Sequence, residues 1–413
     1  MAPTSVRAAA DRCPGVLRPH RAADGALLRL RLPGGRLAAP ALAAVSAAAR
    51  LYADGDVQLT SRGNLQLRGV ATDARGAIAA GLVDAVVEAG LLPQPSHERV
   101  RNIVCSPLTG LLGGLTDLGE LTRSLDEKLC ADDDLAELPG PFLFALDDGR
   151  GDVVGLKADL GLCAVNAESV RLRVGGFLAG PALLHEEAAD VLIEVATRFL
   201  PFARGPAGTQ PVWHVRELPL GGRELLPSSW EVGSALPGSG QPAPTGRLSQ
   251  DDGQSLLSVL VPLGLLTAAQ VSALVGAAQT GVGDLIVTPW RGVLVPGLEP
   301  ARLDELAGRL TAVGLDSTAQ SAWRGITACT GAPRCAHGLG ETRALASAIA
   351  DRRSADHPGP ALVHVVGCER RCGSPAGPHT ELLNLGARVQ ISQGGNVVVV
   401  PPEQAAAIVV GAR

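Results

Sequence analysis

The 413-residue chain has room for two or three domains, and 46% hydrophobic against 19% charged residues excludes a disordered, solvating chain. Its 36 basic and 41 acidic residues give a net charge of −5, without the basic surplus that nucleic acid or an anionic membrane surface would select. No run of 18 apolar residues is present and MAPTSVRAAADRCPG lacks an apolar signal core, so the expectation is a cytoplasmic protein, away from membranes, with reduced thiols.

In chain order, a strand over 26–32 leads into a helix over 38–51, strands over 57–59 and 64–68, and a helix over 76–90. A strand over 142–146 and a helix over 185–199 follow, then PGSGQPAPTGRLSQDDG (237–253), whose Pro/Gly/Ser content reads as a linker. Beyond it come strands over 256–261, 285–288, 293–295, 362–366 and 396–400, with helices over 267–279, 301–313 and 341–351. The alternation predicts an α+β chain of two-layer modules rather than one long parallel sheet.

The chain also repeats itself. Pro33 and Gly35 match Pro262 and Gly264 at an offset of 229, and Asp56, Thr60 and Gly69 match Asp284, Thr288 and Gly297 at an offset of 228. Alanine-rich helices align by chance, but their flanking strands and bounding residues do not. RNIVCSPLTG (101–110) parallels RGITACTGAPRC (324–335), an arginine followed by an apolar stretch into a cysteine. The reading is a tandem duplication with units at 12–75, 97–235, 256–320 and 321–413 around the 237–253 linker.

Eight cysteines in a reduced chain point to metal or catalysis before disulfides. Four of them form a pattern: five residues separate Cys329 from Cys335 and three separate Cys368 from Cys372, with 32 residues between the pairs. Four thiolates hold either a structural zinc or an iron–sulfur cluster. C-x5-C is wide for a zinc knuckle, and the small neighbours Thr330, Gly331, Gly367, Gly373 and Ser374 let backbone N–H groups approach sulfur, which favours the cluster.

C-x5-C…C-x3-C in the last quarter of a duplicated chain resembles the nitrite/sulfite reductase family. That resemblance implies two paired ferredoxin-like half-domains plus two α/β modules bearing the site. It implies a [4Fe-4S] cluster on Cys329, Cys335, Cys368 and Cys372, with Cys372 able to bridge to a sirohaem iron. TSRGNLQLRGV (60–70) resembles the family's first arginine strand and RNIVC (101–105) its second. By position Arg62 and Arg101 would face tetrapyrrole carboxylates or a bound anion, for which a guanidinium offers a planar two-pronged donor. Either arginine alone would read as a solvated surface charge.

One departure from the family is informative. Its sulfite and nitrite reductases carry Lys-x-Lys on the strand after the second arginine motif, where this chain has Pro141 and Leu143; its only lysines are Lys128 and Lys157. Without those cations a small oxyanion loses both charge and proton supply. TPWRGVLVPGL (288–298) and FALDDG (144–149) instead resemble the branch that hydroxylates precorrin-3A at ring carbon 20 with dioxygen and closes a γ-lactone, in aerobic cobalamin biosynthesis. By that resemblance the arginines would bind precorrin carboxylates, and a mononuclear non-haem iron would stand near the cluster. Its ligands are not legible: His337, His379, Asp147 and Asp148 all have ordinary loop or turn readings. There is no P-loop and no complete G-x-G-x-x-G, so electrons would come from an external ferredoxin or NADH-dependent reductase. The alternative is a sirohaem-dependent sulfite or nitrite reductase.

Overall fold

Residues 25–32, GALLRLRL, show how the molecule is sorted. Ala26, Leu28, Leu30 and Leu32 alternate into the core, leaving Arg29 and Arg31 together on the other face of the strand. The computed structural model describes residues 11–205, 211–238, 240–353, 362–375 and 377–411.

The first half-domain runs β1 (His20–Ala22), β2 (Gly25–Leu30), β3 (Arg36–Ala38), α1 (Ala39–Tyr52), β4 (Val57–Leu59), β5 (Leu65–Val70) and α2 (Ala80–Glu88). The first module follows with β6 (Ile103–Cys105), α3 (Gly119–Ala131), β7 (Phe144–Asp147), β8 (Leu160–Ala164), β9 (Ser169–Val174), β10 (Phe177–Leu184), α4 (His185–Arg204) and β11 (Val232–Ala235). The second half-domain comprises β12 (Gly246–Ser249), β13 (Ser255–Leu260), β14 (Leu265–Leu266), α5 (Ala268–Ala278), β15 (Asp284–Val287), β16 (Gly292–Leu298) and α6 (Leu303–Ala312). The second module holds β17 (Ile326–Ala328), α7 (Thr342–Arg352), β18 (Val363–Val366), β19 (Thr380–Asn384), β20 (Val389–Gln393), β21 (Asn396–Val400) and α8 (Pro402–Gly411). Among the described residues no helix is long and apolar enough to cross a membrane.

The two half-domain sheets have matching orders, β1-β2-β5-β4-β14 and β12-β13-β16-β15-β3. Each is completed by a strand of the other: β14 pairs with β4, and β3 with β15. The exchange, with α1 packed on α5, gives both half-domains one hydrophobic core. Small residues on α1 (Ala39, Ala41, Ala48, Ala49) let the helices approach closely, and Thr267 and Gln270 cap α5 reciprocally. The sequence-read linker is partly structured: residues 246–249 pair with β13 as an edge strand whose alternating half-burial is too short to signal itself.

The duplicated Pro-x-Gly turns lie where strands cross between halves. Gly35 (φ 74°) leaves only 2.1 Å between an added Cβ and the Val287 carbonyl oxygen, and Gly264 (φ 70°) only 3.0 Å to that of Leu59. Gly35→Ala therefore combines a left-handed backbone with a backbone clash and should cost upwards of about 2 kcal/mol. Denaturant midpoints check this against Gly55→Ala, also at positive φ but with open space around it; equal losses would show that the clash is relieved.

The modules repeat as well. β6, β7 and β8 are parallel with β9 antiparallel; β17, β18 and β19 are parallel with β20 antiparallel. In each, a helix (α3 or α7) crosses from first strand to second, and another (α4 or α8) follows the fifth strand. The pairings Ile103↔Phe144↔Leu160 and Ile326↔Val363↔Thr380 set the two registers in correspondence. They correct the sequence alignment by one residue: Ala328 corresponds to Cys105, and Cys329 to Ser106. Cys105 consequently faces the core near Leu121 and Leu125.

Candidate metal and tetrapyrrole site

Parallel β17 and β18 end at the same edge of their sheet, and the four patterned cysteines occupy the two loops leaving that edge. Cys329 directly follows β17; its N–H donates to the Val365 carbonyl (2.9 Å), and its Sγ accepts from Gly367 N–H (3.3 Å). Thr342, opening α7, donates its hydroxyl to the Cys329 carbonyl (2.7 Å). Cys368 opens a turn closed by Arg371 N–H on its carbonyl. Cys329, Cys335 and Cys368 are half-buried, and Cys372 is exposed. Burial, then the neighbouring Cys329, Cys368 and Cys335, push the Cys372 thiol up, so Cys372 stands within the field of the other three. Among the described residues no three His, Cys, Asp or Glu side chains could hold a single ion. A zinc would draw its ligands to about 2.3 Å from one point. Four thiols on two adjacent loops, one with an N–H aimed at its sulfur, have the donor chemistry of a polynuclear cluster, in which each thiolate would take its own iron.

His364, which the sequence reading passed over, lies fully buried beneath this loop. Its Nε2 donates to the Cys372 carbonyl (3.1 Å) and its Nδ1 accepts from the Thr327 hydroxyl (2.8 Å). Burial pulls it down to about 4, so it is a neutral brace. His379 bonds the Gly377 carbonyl, and His337 is exposed.

The arginines divide in two groups. Arg62, in the β4–β5 turn, makes no side-chain hydrogen bond among the described residues and is half-buried, near Arg29 and Arg31. Arg29 donates to Gln66 (3.0 Å); Arg31, 2% exposed, reaches the Pro14 and Arg99 carbonyls at 3.4 and 3.3 Å. The Arg29 Nε and the Arg31 Nε and Nη1 are buried without a partner. Burial, then the Arg29 charge and further the Arg62 charge, push Arg31 down to about 9. One buried guanidinium (Arg31) beside two half-buried ones (Arg29, Arg62), with the unmet buried donors on Arg29 and Arg31, has the charge and donor set that a carboxylate could satisfy. Arg29 and Arg31 were missed in the sequence, although their period-two spacing put them on one strand face. Arg101 does not join them: it is 5% exposed and both prongs bind Asp126 of α3, at 2.8 and 2.6 Å.

The first module's counterpart loop holds oxygens instead of thiols. Ser106 donates to Asp152 (2.7 Å), Asp148 is forked by Arg150, and Asp147 accepts from the N–H groups of Gly149, Gly151 and Val153. Asp147 and Asp148 are thus consumed in their own turn. Burial first, with the Asp147 charge, raises Asp152 to about 6. Ionising it costs the folded state, so that stability is present below the ordinary carboxyl value and lost as pH rises through about 6. Asp152→Asn should therefore gain on the wild type between pH 4 and 7, by on the order of 3 kcal/mol; parallel melting curves at the two pH values would reject this.

Comparison with known proteins agrees with this architecture. The nitrite/sulfite reductase ferredoxin-like half domain matches residues 18–85 and 247–313, taking in α2 and β12 beyond the units read from sequence. Ferredoxin–nitrite reductase of Synechococcus elongatus is 26% identical over 391 residues, covering 84% of this chain and 74% of its own. Precorrin-3B synthase of a Sinorhizobium species is 25% identical over 394 residues, covering 91% and 80%. The structure of the Mycobacterium tuberculosis NirA protein has the same fold, with a TM-score of 0.73 at 20% identity over 92% of this chain and 79% of that one. Carrying the half-domain twice, exchanged strand for strand, the chain has the nitrite/sulfite reductase fold and is similar to proteins of that family over most of its length.

Proposed function

We propose that this oxidoreductase is a precorrin-3B synthase, hydroxylating precorrin-3A at ring carbon 20 with dioxygen and closing a γ-lactone. The observation that carries the reading is the contrast between its two sets of cations. The groups that would hold a small oxyanion are gone or engaged. β7 and its approach are apolar, Lys128 is paired with Asp190 at the surface, Lys157 is exposed, and Arg101 is locked to Asp126. Arg29 and Arg31 by contrast keep unmet buried donors, with half-buried Arg62 beside them making no side-chain hydrogen bond among the described residues, as an acidic tetrapyrrole requires. The synthase relative also spans more of this chain than the nitrite reductase does.

In this reading the three guanidiniums bind and orient the substrate carboxylates and exclude water from their pocket. Cys329, Cys335, Cys368 and Cys372 hold a [4Fe-4S] cluster, whose chemistry is one-electron transfer. His364 and Gly367 fix the loops bearing them, and a ferredoxin or NADH-dependent reductase supplies electrons. No set of ligands for a mononuclear iron is gathered among the described residues. The 26% match to a nitrite reductase supports a second reading, a sirohaem enzyme reducing nitrite or sulfite in the same cleft. Anaerobically purified protein given precorrin-3A, dioxygen and a reductant should yield the hydroxylated lactone. Sirohaem absorption bands with nitrite- or sulfite-dependent dye oxidation, and precorrin-3A untouched, would establish the second reading instead.

A further inference from the structure

The loop between Cys329 and Cys335 is anchored from two sides. Its Cys329 end is held within its own module, by the Val365 carbonyl and the Thr342 hydroxyl. Its Cys335 end is held by the other half of the chain. Arg334, immediately before Cys335, donates to Asp54 in the α1–β4 turn (2.5 Å), and the Arg334 carbonyl accepts from Arg68 of β5 (3.2 Å). Arg68 is itself forked by Asp24 in the β1–β2 turn at 3.0 and 2.8 Å, and its carbonyl takes the Asp54 N–H at 2.9 Å. The chain Asp24–Arg68–Arg334–Asp54 joins elements up to 310 positions apart in sequence, as from Asp24 to Arg334. The duplicate contact is plainer: Asp251, in the β12–β13 turn, accepts from Gly113 N–H and donates its own N–H to the Leu111 carbonyl, with no arginine between. The half that carries thiols is the half given a charged strap.

We propose that Arg334 and Asp54 are positioning residues through which the first half of the chain holds the Cys335 end of the thiol loop and sets the reduction potential of the cluster there. The inference rests on the cluster reading given above. A reduced cluster carries one more negative charge than the oxidised one, so a cation beside Cys335 favours reduction and the carboxylate paired with it tempers that effect. Asp54 is only 14% exposed, so its charge is poorly screened.

The test uses the full chain with its cluster reconstituted, read by iron and sulfide content and by an EPR-monitored potential titration. Arg334→Gln should shift the reduced-to-oxidised ratio at fixed potential about tenfold toward oxidised, equivalent to ~59 mV for one electron. Asp54→Asn should shift it the opposite way, the double variant should return near the wild type, and Arg334→Lys should stay close to it. A purely mechanical tie would move both single variants in the same direction, or only hasten iron loss to a chelator. Either result, or unmoved potentials in variants that hold their cluster, overturns the proposal. A wild-type protein that takes up no iron and sulfide overturns the cluster reading as well, and that outcome is visible before any variant is made.

Discussion

Cys368→Ser should leave a folded protein stripped of its iron and sulfide. Cys368 lies in the loop after β18, outside the cluster of buried residues formed by Ile326, Leu345, Ile349, Val363, Val365 and Leu382, so the fold does not depend on it. Serine is nearly isosteric, but its hydroxyl stays protonated near neutral pH and is a hard donor where iron prefers thiolate. With three ligands remaining, the loop that Arg371 closes onto the Cys368 carbonyl still forms, and the cluster has an open corner. Iron and sulfide should fall from about four each per chain to near zero, with the visible absorbance, while far-ultraviolet circular dichroism is retained. Cys130→Ser supplies the comparison, since Cys130 sits on α3 in the other module and should keep the full complement. A Cys368→Ser protein that retained its iron and sulfide would remove this residue from the ligand set.

Much of this arrangement was legible before the structure, and the omissions share a cause. The duplication could be read because Pro33, Gly35, Asp56, Thr60 and Gly69 bound elements at fixed offsets from their counterparts, and glycines at strand crossings admit no other residue. The thiol pattern could be read because ligand spacing is local. β8 could not, because a strand buried on both faces shows no alternation to distinguish it from a loop rich in small apolar residues, whereas β9 did carry a signal, Val170, Leu172 and Val174 alternating with Arg171 and Arg173. α3 carried its signal, Leu121, Leu125 and Leu129 at four-residue spacing, beneath interleaved charges. That oversight mattered: with α3 absent, Asp126 had no place in the fold, and Arg101 looked as free as Arg62. Whether an arginine is spent on a carboxylate depends on pairing across the fold, which one-dimensional spacing does not contain.

The same division gives the second large effect. Removing Arg31 or Arg62 should weaken tetrapyrrole binding about 10- to 100-fold, the loss of one charge-assisted contact of roughly 1.5–3 kcal/mol. Arg31→Met also relieves a buried cation that burial and its neighbours already disfavour, so the ligand-free variant should be no less stable than the wild type. Arg101→Met should do the reverse. It leaves the Asp126 carboxylate without the partner that held both its oxygens, which should cost about 3 kcal/mol of stability, while substrate affinity stays unchanged. Titration of each variant with precorrin-3A, or with an octacarboxylate porphyrin as a stable stand-in, measures the affinities; melting with and without ligand measures the linkage, since a ligand confined to the folded state stabilises it with the logarithm of its affinity. If Arg31→Met and Arg62→Ala bind as tightly as the wild type, the unmet donors on Arg29 and Arg31 serve no carboxylate and the pocket assignment fails. If Arg101→Met loses affinity without losing stability, the Asp126 pair opens when substrate arrives, and the family's second arginine belongs to the site after all. The contrast rests on one physical point: a buried guanidinium already forked by a carboxylate has little left for a ligand, whereas one with three orphaned neighbours' donors beside it is stabilised only when an anion enters.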